Sequence, residues 1–473
     1  SYLPAEARAL LHVFLRAGPF APQLAAEGMR NRLRKETQGV VLSAEEPMLT
    51  QYLDARRAQG VDINLNYLGE AVLGEAEAEA RLDSYEALLA RPDVQAISIK
   101  LSSIASRVEL LSFRQTLDEL KPRVRRIYRA ALQHRYTPPD GRGGPRPKLV
   151  SLDMEAYRDL PLTAALFQEL MAEPELQALQ ACLVLQAYLP DSHRYQIELT
   201  RFAQQRVQAG GAPLRIRIVK GANLAAERVE SALRGWPLPI FHDKAHVDAN
   251  YRRMLEYACQ PEHAHALHFG VASHNLFDIA FALTLGAANG LGSELSFELL
   301  EGMADALRRA LVTLPHRVLL YAPIVGANAM QTAIAYLMRR LDENTGEENF
   351  LRNSFGMQVD DESFLREQER FVKGFALRHS LPDAPLRTQR LDAPVTPPSD
   401  GFRNEPDTDF ALPHNAELIQ RQLDALRERP CFDVPLMLAR PGSVASTWRD
   451  GFDPSRPGFV PYRHALADEA AIE

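Results

Sequence analysis

The sequence predicts an α/β protein: a (β/α)8 TIM-type barrel with an N-terminal helical arm and a C-terminal extended linker and tail. Three observations predict it. Short apolar, strand-like runs recur at Asp62–Tyr67, Ala96–Leu101, Lys148–Asp153, Cys182–Tyr188, Leu214–Val219, Ala266–Ser273, Leu295–Leu300 and Val318–Ala322. Segments of helical pattern lie between them, among them Leu162–Met171 and Arg194–Ala209, long enough for right-handed crossovers. The eight units fit in roughly 290 residues, the size such a barrel needs. A doubly wound open sheet is the alternative, but no Gly-x-Gly-x-x-Gly fingerprint supports a dinucleotide-binding version of it.

Taken in order, residues 1–60 are rich in Ala, Leu, Arg and Glu, with apolar residues such as Leu10, Val13 and Phe14 at helical spacing, and read as the arm. Residues 61–355 carry the barrel. From 356 to 430 the periodicity weakens into a Pro- and Asp-rich stretch that reads as a linker, and 431–473 hold too little apolar material for a core of their own. The loop Thr137–Pro147 contains glycines but precedes a strand, so it reads as a connection and not a phosphate cradle.

Composition narrows the function. A net charge of −7 disfavours nucleic acid and anionic lipid as general partners. Cys182, Cys259 and Cys431 are too few and too widely spaced for a disulfide framework or a metal pair, which fits a reducing, cytoplasmic compartment. Neither a signal peptide nor a transmembrane run is legible. His263, His265 and His268 resemble a metal set, but they precede the sixth strand, on the stability face of a barrel, so no metal is expected.

Barrel chemistry gathers at the C-terminal ends of the strands. Those ends are polar here: Lys100, Asp153, Glu155, Gln186, Tyr188, Arg217, Lys220, Ser273, His274, Asn275 and Tyr321. Any one of them alone reads as half of a structural ion pair. Their convergence on one rim points to a site. After the eighth strand a helix is expected over Asn328–Asn344, stopped by Gly346, with an apolar stripe at Met330, Ile334, Leu337, Met338 and Leu341. Tyr336, Arg339, Arg340 and Glu343 recur at i, i+3, i+4, i+7 and are expected on one face. By spacing alone that face is solvated. Placed beside the rim, two guanidiniums and a tyrosine suit a small carboxylate with an apolar body.

The strings "SIKLSSI", "SLDMEAY", "LVLQAYL", "RIVKGAN", "DKAHVDANY", "ASHN", "LLEGM" and "YLMRRLDEN", in this order over Asp62–Phe355, resemble the proline dehydrogenase family. They are most similar to the dehydrogenase half of bifunctional proline utilization A, and the arm and "NEPDTDF" extend the similarity. The resemblance implies FAD over the barrel mouth, L-proline between flavin and last helix, and oxidation of proline to 1-pyrroline-5-carboxylate. The electrons would pass to a quinone at the inner membrane surface. It assigns Lys100, Arg339 and Arg340 to the substrate carboxylate, with Asp153 pairing Lys100, and Leu300, Tyr321 and Tyr336 to the ring pocket. To the flavin it assigns Asp153, Met154, Val184, Gln186, Arg217, Val219, Lys220, Gly221, Ala222, His242, Lys244, Ala272, His274, Asn275, Arg340 and Glu343. Asn223 and Leu224 stand where many relatives carry Tyr-Trp, so that aromatic packing is absent. The string "DPSRPGFV" resembles the opening of an aldehyde dehydrogenase half, whose nucleotide site and nucleophile this chain does not reach, so second-step activity is not expected of it. Cys431 lies too early to be that nucleophile.

The ring and hydroxyl of Tyr321 should crowd the extra oxygen of hydroxyproline. Tyr321→Ser is expected to raise hydroxyproline turnover relative to proline, measured as the ratio of the two kcat/KM values; an unchanged ratio would remove Tyr321 from the specificity argument.

Overall fold

A computed structural model describes residues 39–469 except 70, 138–143, 327–329, 347, 355, 395–400, 403, 429–430, 438–446; at 330 and 342–345 it describes the backbone alone. Its strands are Leu42–Ser43 (β1), Asp62–Tyr67 (β2), Ala96–Lys100 (β3), Leu149–Asp153 (β4), Cys182–Gln186 (β5), Leu214–Val219 (β6), Leu267–Ala272 (β7), Leu295–Leu300 (β8) and Arg317–Val325 (β9). From β2 to β9 neighbours pair in parallel, and β9 pairs with both β8 and β2, closing an eight-stranded barrel as the sequence predicts. The short β1 adds outside that count, pairing with Ile324 and Val325 at the end of β9.

The shell is made of Met48–Ala58 (α1), Glu75–Ala90 (α2), Phe113–Gln133 (α3), Asp159–Met171 (α4), Ser192–Gln208 (α5), Leu224–Arg234 (α6), Lys244–Ala258 (α7), Leu276–Ala288 (α8), Asp305–Leu311 (α9) and Met330–Thr345 (α10). Helix α3 shows why these segments fold and pack: Leu117, Leu120, Val124, Ile127, Tyr128 and Ala131 make one buried stripe at helical spacing. Two long helices, α6 and α7, and the short helix Pro261–Ala264 lie between β6 and β7, and α7 starts where Asp243 accepts the Ala245 N–H at 2.7 Å.

Register decides what fills the barrel. Side chains two apart share a face, and aligned partners in a parallel ladder face the same way. Ala96, Leu149, Cys182 and Leu319 form a buried apolar floor. Above it the interior is polar where barrels are ordinarily filled by Val, Ile and Leu. Arg217 on β6 reaches across to Asp153 on β4 (Nη1 to Oδ1, 2.8 Å) and to Glu298 on β8 (Nε to Oε2, 2.5 Å), passing over the strands between. Arg215 pairs with the other oxygen of Glu298 at 3.1 Å and donates to Ser296. On the far side Asn64 donates to Ser98 at 3.0 Å, and Ser98 donates to Asp153 at 3.3 Å. Gly270 makes room for this chain: a Cβ there would fall on the Glu298 carboxylate and 3.1 Å from Arg215 Nη2.

The segment read as a linker, 356–430, is more regular than that reading. It holds Glu362–Leu377 (α11) and Pro413–Arg427 (α12). Helix α11 starts where Asp361 accepts the Phe364 N–H at 2.7 Å, and its Phe364, Phe371 and Phe375 pack against Phe277 and Phe281 of α8. The pattern was hidden because its apolar face is aromatic and sits among charged residues. Residues 110–112, 389–403 and 408–473 form a separate unit, in which Phe432–Val434 (β10), Tyr462–Leu466 (β12) and Thr447–Asp450 (β11) make a three-stranded sheet in that order, mostly exposed. The expected N-terminal arm falls mainly on residues 1–38, outside the described residues; α1 lies within its span.

Glu298 is the shared anion of two buried guanidiniums. Glu298→Gln should cost about 3–5 kcal/mol of stability, the usual loss when one partner of a buried pair goes, as measured by urea unfolding. A loss within about 0.5 kcal/mol, the level of an exposed substitution, would show that the pair is not holding the barrel.

Candidate active site

At the C-terminal end of β4 the Asp153 carboxylate is the meeting point. It receives Arg217 and Ser98 on one oxygen and the Tyr321 hydroxyl, at 2.8 Å, on the other. Burial pushes its pKa up, and Arg217, Tyr321 and Lys100 pull it back only in part. Burial and Asp153 push the Tyr321 phenol well above its usual range, so it stays protonated and serves as a donor. The Arg217 guanidinium also lies 5.3 Å from the Tyr321 ring centroid. This arrangement fixes the tyrosine ring at the base of the mouth.

Lys100 and Asp153 are aligned partners in the β3–β4 ladder, but they do not pair directly as expected. Lys100 Nζ lies 2.5 Å from Glu155 Oε1, two residues beyond the strand, and Ser102 donates to the other Glu155 oxygen at 3.0 Å. Three donors, Arg217, Ser98 and Tyr321, already occupy most of the acceptor positions of Asp153. Burial opposes ionisation of Glu155, yet Lys100, Ser102 and the nearby charge of Arg339 hold its pKa below the ordinary value.

The expected faces of α10 are rotated. Ala333 and Tyr336 are buried with Val41, Leu68 and Val325, and Leu337 packs against them. Arg340 follows at i+4 from Tyr336, half-buried, its guanidinium 5.0 Å from that ring. Met338 and Leu341, read as part of the core stripe, are instead 55% and 56% exposed. Arg339 is exposed where Arg340 is half-buried, so of the two arginines beyond Tyr336 only Arg340 is drawn inward. Arg339 acts on Glu155, and Arg340 on His274. The side chain of Glu343 lies outside the described residues.

The residues expected at the cofactor fall into two groups. In the first, Gln186 Nε2 donates to the Met154 carbonyl at 2.8 Å, and Val184 and Met154 are buried beside it. In the second, Lys220 at the end of β6 stands between Asp248 (2.5 Å) and Asp278 (2.7 Å), and Lys244 shares Asp248 at 2.7 Å. Burial opposes the charge on Lys220, but the two carboxylates outweigh it and raise its pKa. Lys244 is pushed the other way, by burial and by Lys220. Val219 and Ala272 are half-buried, Gly221, Ala222 and His242 exposed. Gly221 has φ +125°, open to glycine alone, and its backbone runs against the Tyr188 ring, where a Cβ would come within 2.5 Å. Asn275 caps α8, its Oδ1 accepting the Phe277 N–H at 2.9 Å, and His274 Nε2 accepts the Leu300 N–H at 3.1 Å. Sequence reading missed Glu298, Arg215, Asp248, Asp278 and Arg252. A signal existed for Glu298, an acid at an inward position of the apolar run "LSFELL".

Among the buried polar atoms at this mouth that make no hydrogen bond within the protein are Gln186 Oε1 and Arg217 Nη2. An acceptor and a donor left over together suit a planar ring that offers both kinds of group on its edge, as a flavin does. Lys220, Lys244 and Arg252 against Asp248 and Asp278 leave one positive charge, which suits its phosphates. An open groove of about 680 Å³ between α2 and α3, lined by Glu75, Glu79, Arg123 and Arg126, lies on the helical shell away from this chemistry.

A closed parallel barrel with carboxylates, cations and an aromatic floor at its C-terminal mouth defines an enzyme of the (β/α)8 class. A sequence profile of proline dehydrogenase matches residues 49–353, well over half of the chain. The chain belongs to the proline dehydrogenase family, whose members are in general flavin-dependent. It resembles the solved structure of proline utilization A (PutA) from Corynebacterium freiburgense, with 36% identity, TM-score 0.70, and 88% of this chain and 38% of that one covered. PutA from Bdellovibrio bacteriovorus, solved after inactivation by N-propargylglycine, matches with 27% identity and TM-score 0.77, over 95% of this chain and 45% of that one. The bifunctional protein PutA of Klebsiella aerogenes is 26% identical over 314 residues, 62% of this chain and 22% of that protein. The chain thus spans less than half the length of each of these relatives.

Burial and the charge of Arg340 lower the His274 pKa to about 4, and burial lowers His193 and His268 to about 4 as well. Below its ordinary pKa of about 6.5, each is protonated first in the unfolded chain, so stability falls as pH drops from about 6.5 to 4. Urea midpoints measured across that window should fall, and His274→Gln should make the decline shallower; an unchanged slope would mean that His274 is protonated in the fold.

Proposed function

We propose that this chain oxidises L-proline to 1-pyrroline-5-carboxylate, with FAD as the acceptor of the hydride and a membrane quinone as the final acceptor. This is the first step of proline breakdown to glutamate. Family membership supports oxidation of proline; the single observation that carries the finer reading is the stacking of Tyr336 and Arg340 of α10 over a barrel mouth floored by Tyr321. Bound FAD supplies the two-electron acceptor that no side chain provides. The residues do the rest.

Arg340, held against the Tyr336 ring, receives the proline carboxylate, with Lys100 and Arg339 supplying positive charge from the Glu155 side. Tyr321, Tyr336 and Leu300 enclose the pyrrolidine ring, so that the carbon beside nitrogen is presented in one orientation. Asp153 and Arg217 keep the Tyr321 ring in place and exclude water from the barrel floor. Gln186 and Arg217 hold the flavin edge through their unpartnered atoms, and Lys220 and Lys244 face its anionic part. Met154, Val184, Val219, Gly221, Ala222, Ala272, His274 and Asn275 line the remaining contact, with His242 at its exposed edge.

The second activity of PutA lies, on this reading, in the part of those proteins that this chain does not span. Among the described residues no helix is long and apolar enough to cross a membrane.

The test is a titration. Purified protein should carry yellow flavin that L-proline bleaches anaerobically; colourless protein that takes up no added FAD would sink the proposal. Arg339→Met and Arg340→Met should each raise KM for proline on the order of 10- to 100-fold, the range of one lost charge-assisted contact, while the FAD dissociation constant changes far less. The reverse pattern would move the arginines to the cofactor.

A further inference from the structure

Lys220 owes its position to a chain of contacts that begins outside the barrel, on a helix later in sequence than every barrel strand. Asp278, fully buried in the first turn of α8, bridges two cations: Oδ2 lies 2.7 Å from Lys220 Nζ and Oδ1 lies 3.0 Å from Arg252 Nε. Arg252, 1% exposed on α7, continues outward. Its Nη1 donates to the Phe371 carbonyl of α11 at 3.1 Å, and its guanidinium lies 4.2 Å from the centroid of the Phe371 ring. Gly374, one turn on, allows that approach, because a Cβ there would strike Arg252 Nη1 and come within 3.4 Å of the Asp248 side chain. Glycine in the interior of a sixteen-residue helix costs stability, so the close contact is its physical use here.

We propose that Asp278 and Arg252 are positioning residues for the cofactor. They act only through Lys220, and α11 is the element that holds them in register. The inference rests on the reading of Lys220 as a flavin-facing residue. Lys220 has four polar or charged neighbours on its own side of the mouth: Asp248, Asp278, Lys244 through Asp248, and the Tyr251 ring 5.4 Å away. Asp248 is shared between two lysines and cannot place either one alone. Asp278 is tied to the shell through Arg252, so it supplies the fixed point. A buried aspartate stripped of Arg252 would carry an uncompensated share of charge and draw Lys220 inward, away from the mouth.

The test is the dissociation constant of FAD, followed by flavin fluorescence on release from the holoenzyme, in Lys220→Met, Asp278→Asn and the double variant. Asp278→Asn should weaken FAD by about tenfold, the low end of what losing a supporting carboxylate costs a ligating group. In the Lys220→Met background the same substitution should change it less than about twofold, because residues acting through one another are not additive. Equal effects in both backgrounds would overturn the proposal while leaving Lys220 at the cofactor. No effect of Lys220→Met alone would overturn it differently, by removing Lys220 from the flavin. Arg252→Lys, which keeps a cation on Asp278, should restore part of the affinity and the visible flavin spectrum that Arg252→Met loses; a purely structural role would not separate these two at equal thermal stability. If Asp278→Asn does not fold, Gly374→Ala takes its place in the cycle with the same expected pattern.

Discussion

Four ionised side chains, Asp153, Arg217, Glu298 and Arg215, run across the inside of the barrel where an ordinary barrel would hold branched aliphatics. Burying them is expensive, and the arrangement is tolerable only because it is neutral overall and densely hydrogen-bonded. The rest of the mouth depends on it. Arg217 is locked by two carboxylates and keeps its charge despite burial. Asp153, once engaged by Arg217, has its second oxygen left for the Tyr321 hydroxyl, and so the position of the Tyr321 ring is set by the ion pair beside it. The same engagement turns Lys100 toward Glu155.

The orientation of α10 is decided by size as much as by polarity. Ala333 allows the helix close to Val325 and Val41, and the larger Tyr336 and Arg340 then line the same face one and two turns on. A tyrosine can be buried with its apolar body, and an arginine can lay its guanidinium on an aromatic ring, so neither breaks the packing. Two methyl-rich side chains, Met338 and Leu341, are left outside as a consequence. Charge is distributed by the same geometry: Arg340 near His274 on one side, Arg339 near Glu155 and Lys100 on the other.

The barrel was readable because its signals are local. Each strand is a short apolar run, and the observed strands overlie all eight runs, coinciding at nine of the sixteen ends, differing by one or two residues at six, and by three at the end of β9. The rim residues were readable for the same reason, since the end of a strand is a sequence position. Helix α11 was harder to read, because an aromatic face spaced among charges resembles a charged linker until Phe277 and Phe281 are seen opposite it. Asp278 and Arg252 were also hidden. An aspartate in the first turn of a helix and an arginine within one are ordinary surface residues by pattern, and only packing shows them buried against each other.

By itself the sequence determined the order of strands and helices, the polar character of the strand ends, and the family strings that assign proline chemistry, because all of these are carried by neighbours along the chain. Tertiary structure alone decided the partners. Whether Lys100 meets Asp153 or Glu155, which face of α10 turns inward, and which carboxylate steadies Lys220 depend on groups dozens of residues apart competing for the same oxygens, and that competition is settled only when the barrel closes.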